Sequence, residues 1–223
     1  VSLLGLIFPI YAGLTIWSAV FAFWLVAFVL AVNIFEIARR FRLRRGKDGM
    51  KAFARAREVF QRNQRSFGAM IIHIAVVLMA LGIIGIEFFQ SETQGTIAQG
   101  EVLQLDDYQL VYEGLDIYET QDARVVARAV VQVKKNGEII DRIYPRRDFY
   151  YESGESVTIP GVRSTLADDL YVVLIDWREV TREGATFKVY HNPLVKWLWI
   201  GAWTFIAGIL VATWPEDRTR AAA

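Results

Sequence analysis

The 223 residues combine 54% apolar content with 22% charge, a pairing unusual for one mixed globule, so the two kinds of residue are expected to be segregated along the chain. The net charge of +1 conceals opposed blocks: eleven Lys and Arg fall within 39–65 against only Asp48 and Glu58, whereas 87–188 carries 19 acidic and 11 basic residues. The absence of cysteine excludes a disulfide, a thiolate nucleophile and any Cys-ligated zinc or iron-sulfur centre.

Three stretches, 12–35, 67–86 and 198–215, contain no charged residue, and each suits a membrane span of roughly 20 residues. The chain opens at Val1 inside an apolar run, with neither Met nor the basic start of a signal peptide, and so reads as a piece of something longer. Pro9 removes a backbone donor and divides that run. The division leaves 1–8 as the end of an earlier element or an interfacial segment, and a helix from about 13 to 39.

The basic loop 39–65 is short enough for the positive-inside rule, which places it in the cytoplasm; topology alone accounts for its charges, and no nucleic-acid partner is expected. Alternation then puts the second span, 66–89, running outward, an acidic domain at 90–192 outside, a third span at 193–215 returning, and a cytoplasmic tail at 216–223 with Arg218 and Arg220. The first apolar segment and span occupy 1–38.

Between the second and third spans, 101–113, 124–134, 138–144, 156–159, 170–177 and 187–190 alternate apolar with polar residues or are β-branched, the pattern of half-buried strands. Asn136 and Gly137 between two such runs predict a two-residue hairpin, because both positions tolerate positive φ. The expected fold is therefore an α-helical integral membrane protein of about three spans, with an inserted all-β extracytoplasmic domain built as a small sandwich or open barrel.

His73 is the one ionisable side chain inside the second span, about two turns from its cytoplasmic end at roughly 1.5 Å of rise per residue. A buried imidazole needs a partner, and three readings stand open: a neutral ring bonded to a facing helix, a metal or cofactor ligand, or a proton relay. Residues on its helical face include Ser66, Ala69, Val76, Val77 and Ala80, and the small Ala69 and Ala80 leave room for a flat body. Arg62 and Arg65, near the membrane surface on the approach to His73, suit either propionate contacts or snorkelling topology anchors. His191, beside Asn192 and Pro193, reads as a solvated interfacial residue, and Trp197, Trp199 and Trp203 as an aromatic belt. Asp106 with Asp107, and Asp168 with Asp169, read as turns or solvated faces, since strand neighbours point to opposite sides.

Several strings taken in order resemble the C-terminal part of the CcmF/NrfE family of cytochrome c haem lyases. Arg65, Ser66, Phe67, Gly68 and Ala69 precede the intramembrane His73. Asn136, Gly137 and Glu138 resemble the family's hairpin, Arg147 with Phe149 and Tyr150 its basic-aromatic strand, and Asp169, Leu170, Tyr171 and Val172 a further strand. Tyr190, Asn192, Pro193, Leu194, Val195, Trp197, Trp199 and Gly201 look like the signature that opens the last helix.

The resemblance implies a bacterial inner-membrane protein of cytochrome c maturation with its β-rich domain in the periplasm. It implies a haem b held between two intramembrane histidines, of which His73 matches the second, and electrons from quinol. The implied partners are a haem chaperone, apocytochrome c with its thiol-reducing delivery proteins, and membrane lipid. The family's Trp-rich haem-handling segment, its two flanking periplasmic histidines and its first intramembrane His are not in this sequence, and the family requires no His at His191. The expectation is therefore a C-terminal fragment or one product of a split gene, inactive in haem ligation by itself and completed by an N-terminal partner. The competing reading is a membrane-anchored docking or scaffold domain that binds no haem, in which His73 only packs helices.

Overall fold

The computed structural model describes residues 17–43, 60, 63–176 and 184–214. Residues 1–8, Pro9, most of the basic loop including Arg62, and the tail with Arg218 and Arg220 lie outside the described residues. The chain divides into two compact units, one drawn from Val1–Ile84 and Trp197–Ala223, the other Gly85–Lys196.

The helical unit is built from α1 (Trp17–Leu43), most of α2 (Gln64–Phe89) and nearly all of α3 (Val195–Thr213). All three are long and apolar enough to cross a membrane. With apolar side chains all round, they gain little from burying a stripe, so close backbone approach holds α2 and α3 together. The small residues sit where that approach happens. A Cβ added at Gly68 would lie 2.5 Å from the backbone N of Ala212, and one added at Gly201 would lie 2.7 Å from that of Met79, both inside contact distance. Gly82 against Leu198 and Gly208 against Ile72 continue the seam. At its end Gln64 Nε2 donates to the carbonyl of Val211 at 3.0 Å, satisfying one of the acceptors a helix C-terminus leaves unpaired. Ile37 of α1 packs on Phe67 and Met70 of α2.

Among its described residues the other unit holds ten strands: β1 (Ser91–Ile97), β2 (Val102–Leu105), β3 (Tyr108–Glu119), β4 (Arg124–Lys135), β5 (Glu138–Ile143), β6 (Arg146–Tyr150), β7 (Ser156–Ile159), β8 (Gly161–Ser164), β9 (Asp168–Asp176) and β10 (Ala185–Pro193). A four-stranded sheet runs β1-β10-β9-β8, and a six-stranded sheet runs β2-β3-β4-β6-β7 with β5 also on β4; all pairings are antiparallel. The two inner faces supply alternate residues to one core: Tyr108, Leu110 and Tyr112 from β3, Ala129, Val131 and Val133 from β4, Leu170, Val172 and Leu174 from β9, and Ala185, Phe187 and Val189 from β10. This is a β-sandwich, the first of the two architectures expected, because period-2 alternation gives each sheet a single apolar face.

The Asn136-Gly137 hairpin forms with φ of 53° and 85°, joining β4 to β5 as the dipeptide predicts. Elsewhere the strand pattern is finer than expected. The run 101–113 is split by a turn in which Asp106 takes φ 51°, and Asp107 completes that turn. Strands β1 and β8 are too polar or too short to show alternation, and β10 begins earlier and ends later than 187–190.

Candidate functional site

Two places bring chemistry-bearing side chains into defined surroundings, and the first is centred on His191. Ser91 stands two residues beyond the end of α2 and pairs directly with His191 across the β1–β10 ladder, four residues before α3 begins. The β2–β3 turn brings Asp106 to the same rim, and the starts of β3 and β9 bring Tyr108 and Asp168.

His191 is not solvated as the sequence suggested. Its side chain is 17% exposed, with Nδ1 2.9 Å from Asp106 Oδ2 and Nε2 3.3 Å from Asp168 Oδ2. Its ring meets Tyr108 edge-on at 5.3 Å between centroids. Tyr108 Oη donates to Asp168 Oδ2 at 2.6 Å, Lys135 Nζ donates to Tyr108 Oη at 3.2 Å, and Thr165 Oγ1 donates to Asp168 Oδ1 at 2.8 Å. Ser91 Oγ donates to Asp106 Oδ2.

The Asp168-Asp169 pair is likewise not a solvated face. Asp168 points into this network and Asp169 is buried on the other side, accepting from Ser164 Oγ at 2.6 Å. The opposite directions follow from strand alternation; Asp168 is enclosed by Tyr108 and Lys135 of the second sheet, which local sequence does not reveal, and Asp169 is held by Ser164 of β8 in its own sheet.

Electrostatics follow the contacts. The Ser91 hydroxyl, and after it the His191 ring, hold the Asp106 carboxyl below the ordinary carboxylate range. Burial pushes Asp168 up, but the bonds from Tyr108, Thr165 and His191 together with the Lys135 charge carry it below that range. Burial and then the Asp168 carboxylate raise the Tyr108 phenol, and the bond to Tyr108 raises the Lys135 ammonium.

The second place is the face of α2 that carries His73. Arg65, Ala69, His73, Val76, Ile83 and Glu87 are exposed, with Ala80 half-buried among them, and their spacing of three or four residues makes one continuous stripe. The buried positions Gly68, Ala75 and Gly82 lie on the α3 side instead. His73 therefore sits in the middle of an apolar stripe that neither α1 nor α3 covers, with methyl side chains at Ala69 and Ala80 one and two turns away. That arrangement fits a flat, apolar ligand with a coordinating imidazole. Arg65 is exposed at the start of the stripe, and Arg62 falls outside the described residues.

Comparison with known proteins bears on the whole chain. Residues 88–193 match the family model described as the CcmF C-terminal beta-sandwich. The cytochrome c-type biogenesis protein CcmF of Pseudomonas fluorescens is 27% identical over 202 residues, which is 88% of this chain and 28% of that protein. The cytochrome c-type biogenesis protein NrfE of Haemophilus influenzae is 28% identical over 148 residues, 66% of this chain and 22% of that protein. A solved structure of the cytochrome c heme lyase CcmF shares the fold with a TM-score of 0.76 at 23% identity, over 96% of this chain and 33% of that one. The chain thus spans under a third of the length of these relatives.

Proposed function

Because the chain belongs to the CcmF/NrfE family as its C-terminal part, we propose that it works within a cytochrome c haem lyase, where His73 supplies one axial ligand to a membrane haem b. The second axial ligand comes from an intramembrane His outside this chain. The observation that carries the reading is the stripe on α2: an imidazole in a span is costly without a partner, and here it faces away from both other helices between two alanines.

Each part of the stripe has a task. His73 presents an imidazole lone pair, which keeps the ring neutral when it ligates. Ala69 and Ala80 leave the width a macrocycle needs, and Val76 and Ile83 exclude water from its edge. Arg65, at the stripe's cytoplasmic end, is placed to meet a propionate, and Arg62, expected from the sequence to share that task, lies outside the described residues. Bound there, a haem supplies one-electron redox chemistry, which in this reading serves quinol-driven reduction of incoming haem iron.

On this reading the protein sits in the bacterial inner membrane with loop 39–65 inside and the β-sandwich in the periplasm. There the sandwich joins the complex in which apocytochrome c, its thiol-reducing delivery proteins and a haem chaperone meet. Covalent attachment needs the N-terminal part of the lyase, as one chain or as a split-gene partner.

The test is co-expression with an N-terminal lyase portion and a reduced optical spectrum of the purified complex. The haem b signal should be lost or shifted in His73→Ala while the far-UV circular dichroism of the sandwich is kept. An unchanged spectrum in that variant overturns the ligand assignment.

A further inference from the structure

The His191 network belongs to no part of the haem reading, and its proton count is informative. We propose that His191 is a proton-dependent latch of the β-sandwich: as an imidazolium it ties the strand entering the domain, the strand leaving it and the six-stranded sheet into one rim, and loss of its proton releases them.

The geometry suits two donors on one ring. Both ring nitrogens face a carboxylate oxygen, at 2.9 Å to Asp106 and 3.3 Å to Asp168, and an ionised carboxylate only accepts. A neutral imidazole has one N–H, so one nitrogen would turn its lone pair on an oxygen lone pair. The charges say the same. Asp106 and Asp168 are balanced by His191 and Lys135 when the ring is charged, and Lys135 cannot take over, since it lies on the Asp168 side at 3.7 Å. The other groups around the ring, the Tyr108 phenol and the Ser91 hydroxyl, are neutral donors already committed to Asp168 and Asp106.

What the ring joins makes this a latch rather than a local contact. Asp106 is held also by Ser91, the first residue of β1, and Asp168 also by Tyr108 of β3 and Thr165 of the β8–β9 turn. Three residues beyond His191 the chain is strained: Leu194 sits at φ 61°, a left-handed conformation unfavourable for a branched side chain, and its N–H donates to Ala167 O at 2.8 Å, next to Asp168. Releasing Asp168 from the ring loosens the segment that holds this turn. Lowered carboxyl pKa values at Asp106 and Asp168 keep both acceptors ionised well below neutrality, so the latch is closed from there up to the pH at which the ring deprotonates.

The experiment uses the full chain in detergent micelles with ¹⁵N-labelled histidine. The sequence has two His, so His191→Gln assigns both rings. At the acid end of a pH series in which both carboxylates stay ionised, both nitrogens of His191 should carry protons. As one is lost on raising the pH, amides of 90–93 and 189–192 should lose about tenfold in hydrogen-exchange protection relative to Val131 and Val133. His191→Gln, uncharged throughout, should show no step. Asp106→Asn should shrink it, because an amide accepts from the charged ring and donates to the neutral one. A single protonated nitrogen at low pH, no step in the unaltered protein, or a full-sized step in Asp106→Asn overturns the latch, even if His191→Gln fails to fold.

Discussion

Asp148 of β6 is fully buried, although it belongs to the outer face of the six-stranded sheet. Its Oδ2 accepts from Arg124 Nη1 at 2.7 Å, and its Oδ1 lies 3.4 Å from Arg146 Nε. Arg146 stands directly opposite Arg128 across the β4–β6 ladder, a like-charged pair that is unfavourable unless a counter-charge lies between the guanidinium groups and their neighbours. Asp148→Asn keeps the volume and removes the charge. Breaking a fully buried ion pair costs about 3–5 kcal/mol, but here the two arginine side chains are 25% and 37% exposed and recover part of their solvation. The expected loss is therefore roughly 2–3 kcal/mol, or about 30- to 150-fold faster exchange of amides that open only when the sheet unfolds. Ala127 and Val131 in β4 are suitable reporters. Arg124→Ala alone and combined with Asp148→Asn completes a cycle, with an expected coupling of about 1–2 kcal/mol. A coupling below roughly 0.5 kcal/mol, or reporter exchange unchanged in Asp148→Asn, would show that Asp148 is not the counter-charge holding this face.

Asp168→Asn should destabilise the sandwich at neutral pH by about 2 kcal/mol, since charge-assisted bonds from Tyr108 and Thr165 become neutral ones. Because the folded carboxyl titrates below its unfolded value of about 3.9, that stability is present above this pH and vanishes as pH falls through the lower folded value. The gap between variant and parent in urea denaturation should close on acidification, and a gap constant down to pH 2 contradicts the assignment. Gly201→Leu drives a side chain into Met79 and the Ala75 carbonyl, both under 3 Å from the new Cβ, and should cost about 1–3 kcal/mol or separate α2 from α3. Cysteine cross-linking between positions 72 and 208 reads this directly, and undiminished cross-linking refutes the seam. Gly137→Val places a β-branched residue at φ 85° and should cost roughly 1–3 kcal/mol, visible as a lower thermal midpoint of the β signal.

Features governed by local chemistry were legible in the sequence. Three uncharged stretches predict three spans because a bilayer tolerates little else, and Asn136-Gly137 predicts its hairpin because few dipeptides accept positive φ at both positions. Strands β3, β4 and β9 show themselves through one apolar face each. The strands that escape notice obey other rules. Arg146–Tyr150 shows no apolar alternation because its outer face buries Asp148 beside arginines, so only the family resemblance points to it, and Ser91–Ile97 is an edge strand whose polar side chains carry no period-2 signal.

The two candidate sites divide along the same line. His73 stands out in the sequence because the hydrocarbon expected around it makes any ionisable residue conspicuous, and the helix period places Ala69, Val76 and Ala80 on its stripe, whereas Val77, expected there too, is buried. His191 is not, because nothing near it in sequence supplies its partners. Asp106 is 85 residues away and Asp168 is 23. Asp106 is the exposed turn residue its neighbours suggest, and Asp168 looks like surface when read with its own neighbours although it is not. Only closure of the two sheets brings the ends of β1, β3, β9 and β10 to one rim, where His191 and Asp168 lose most of their water to each other and to Tyr108 while Asp106 keeps part of its own. A residue whose surroundings are assembled wholly by tertiary contacts gives no local sign of its burial, so its charge state has to be read from the distances to both ring nitrogens.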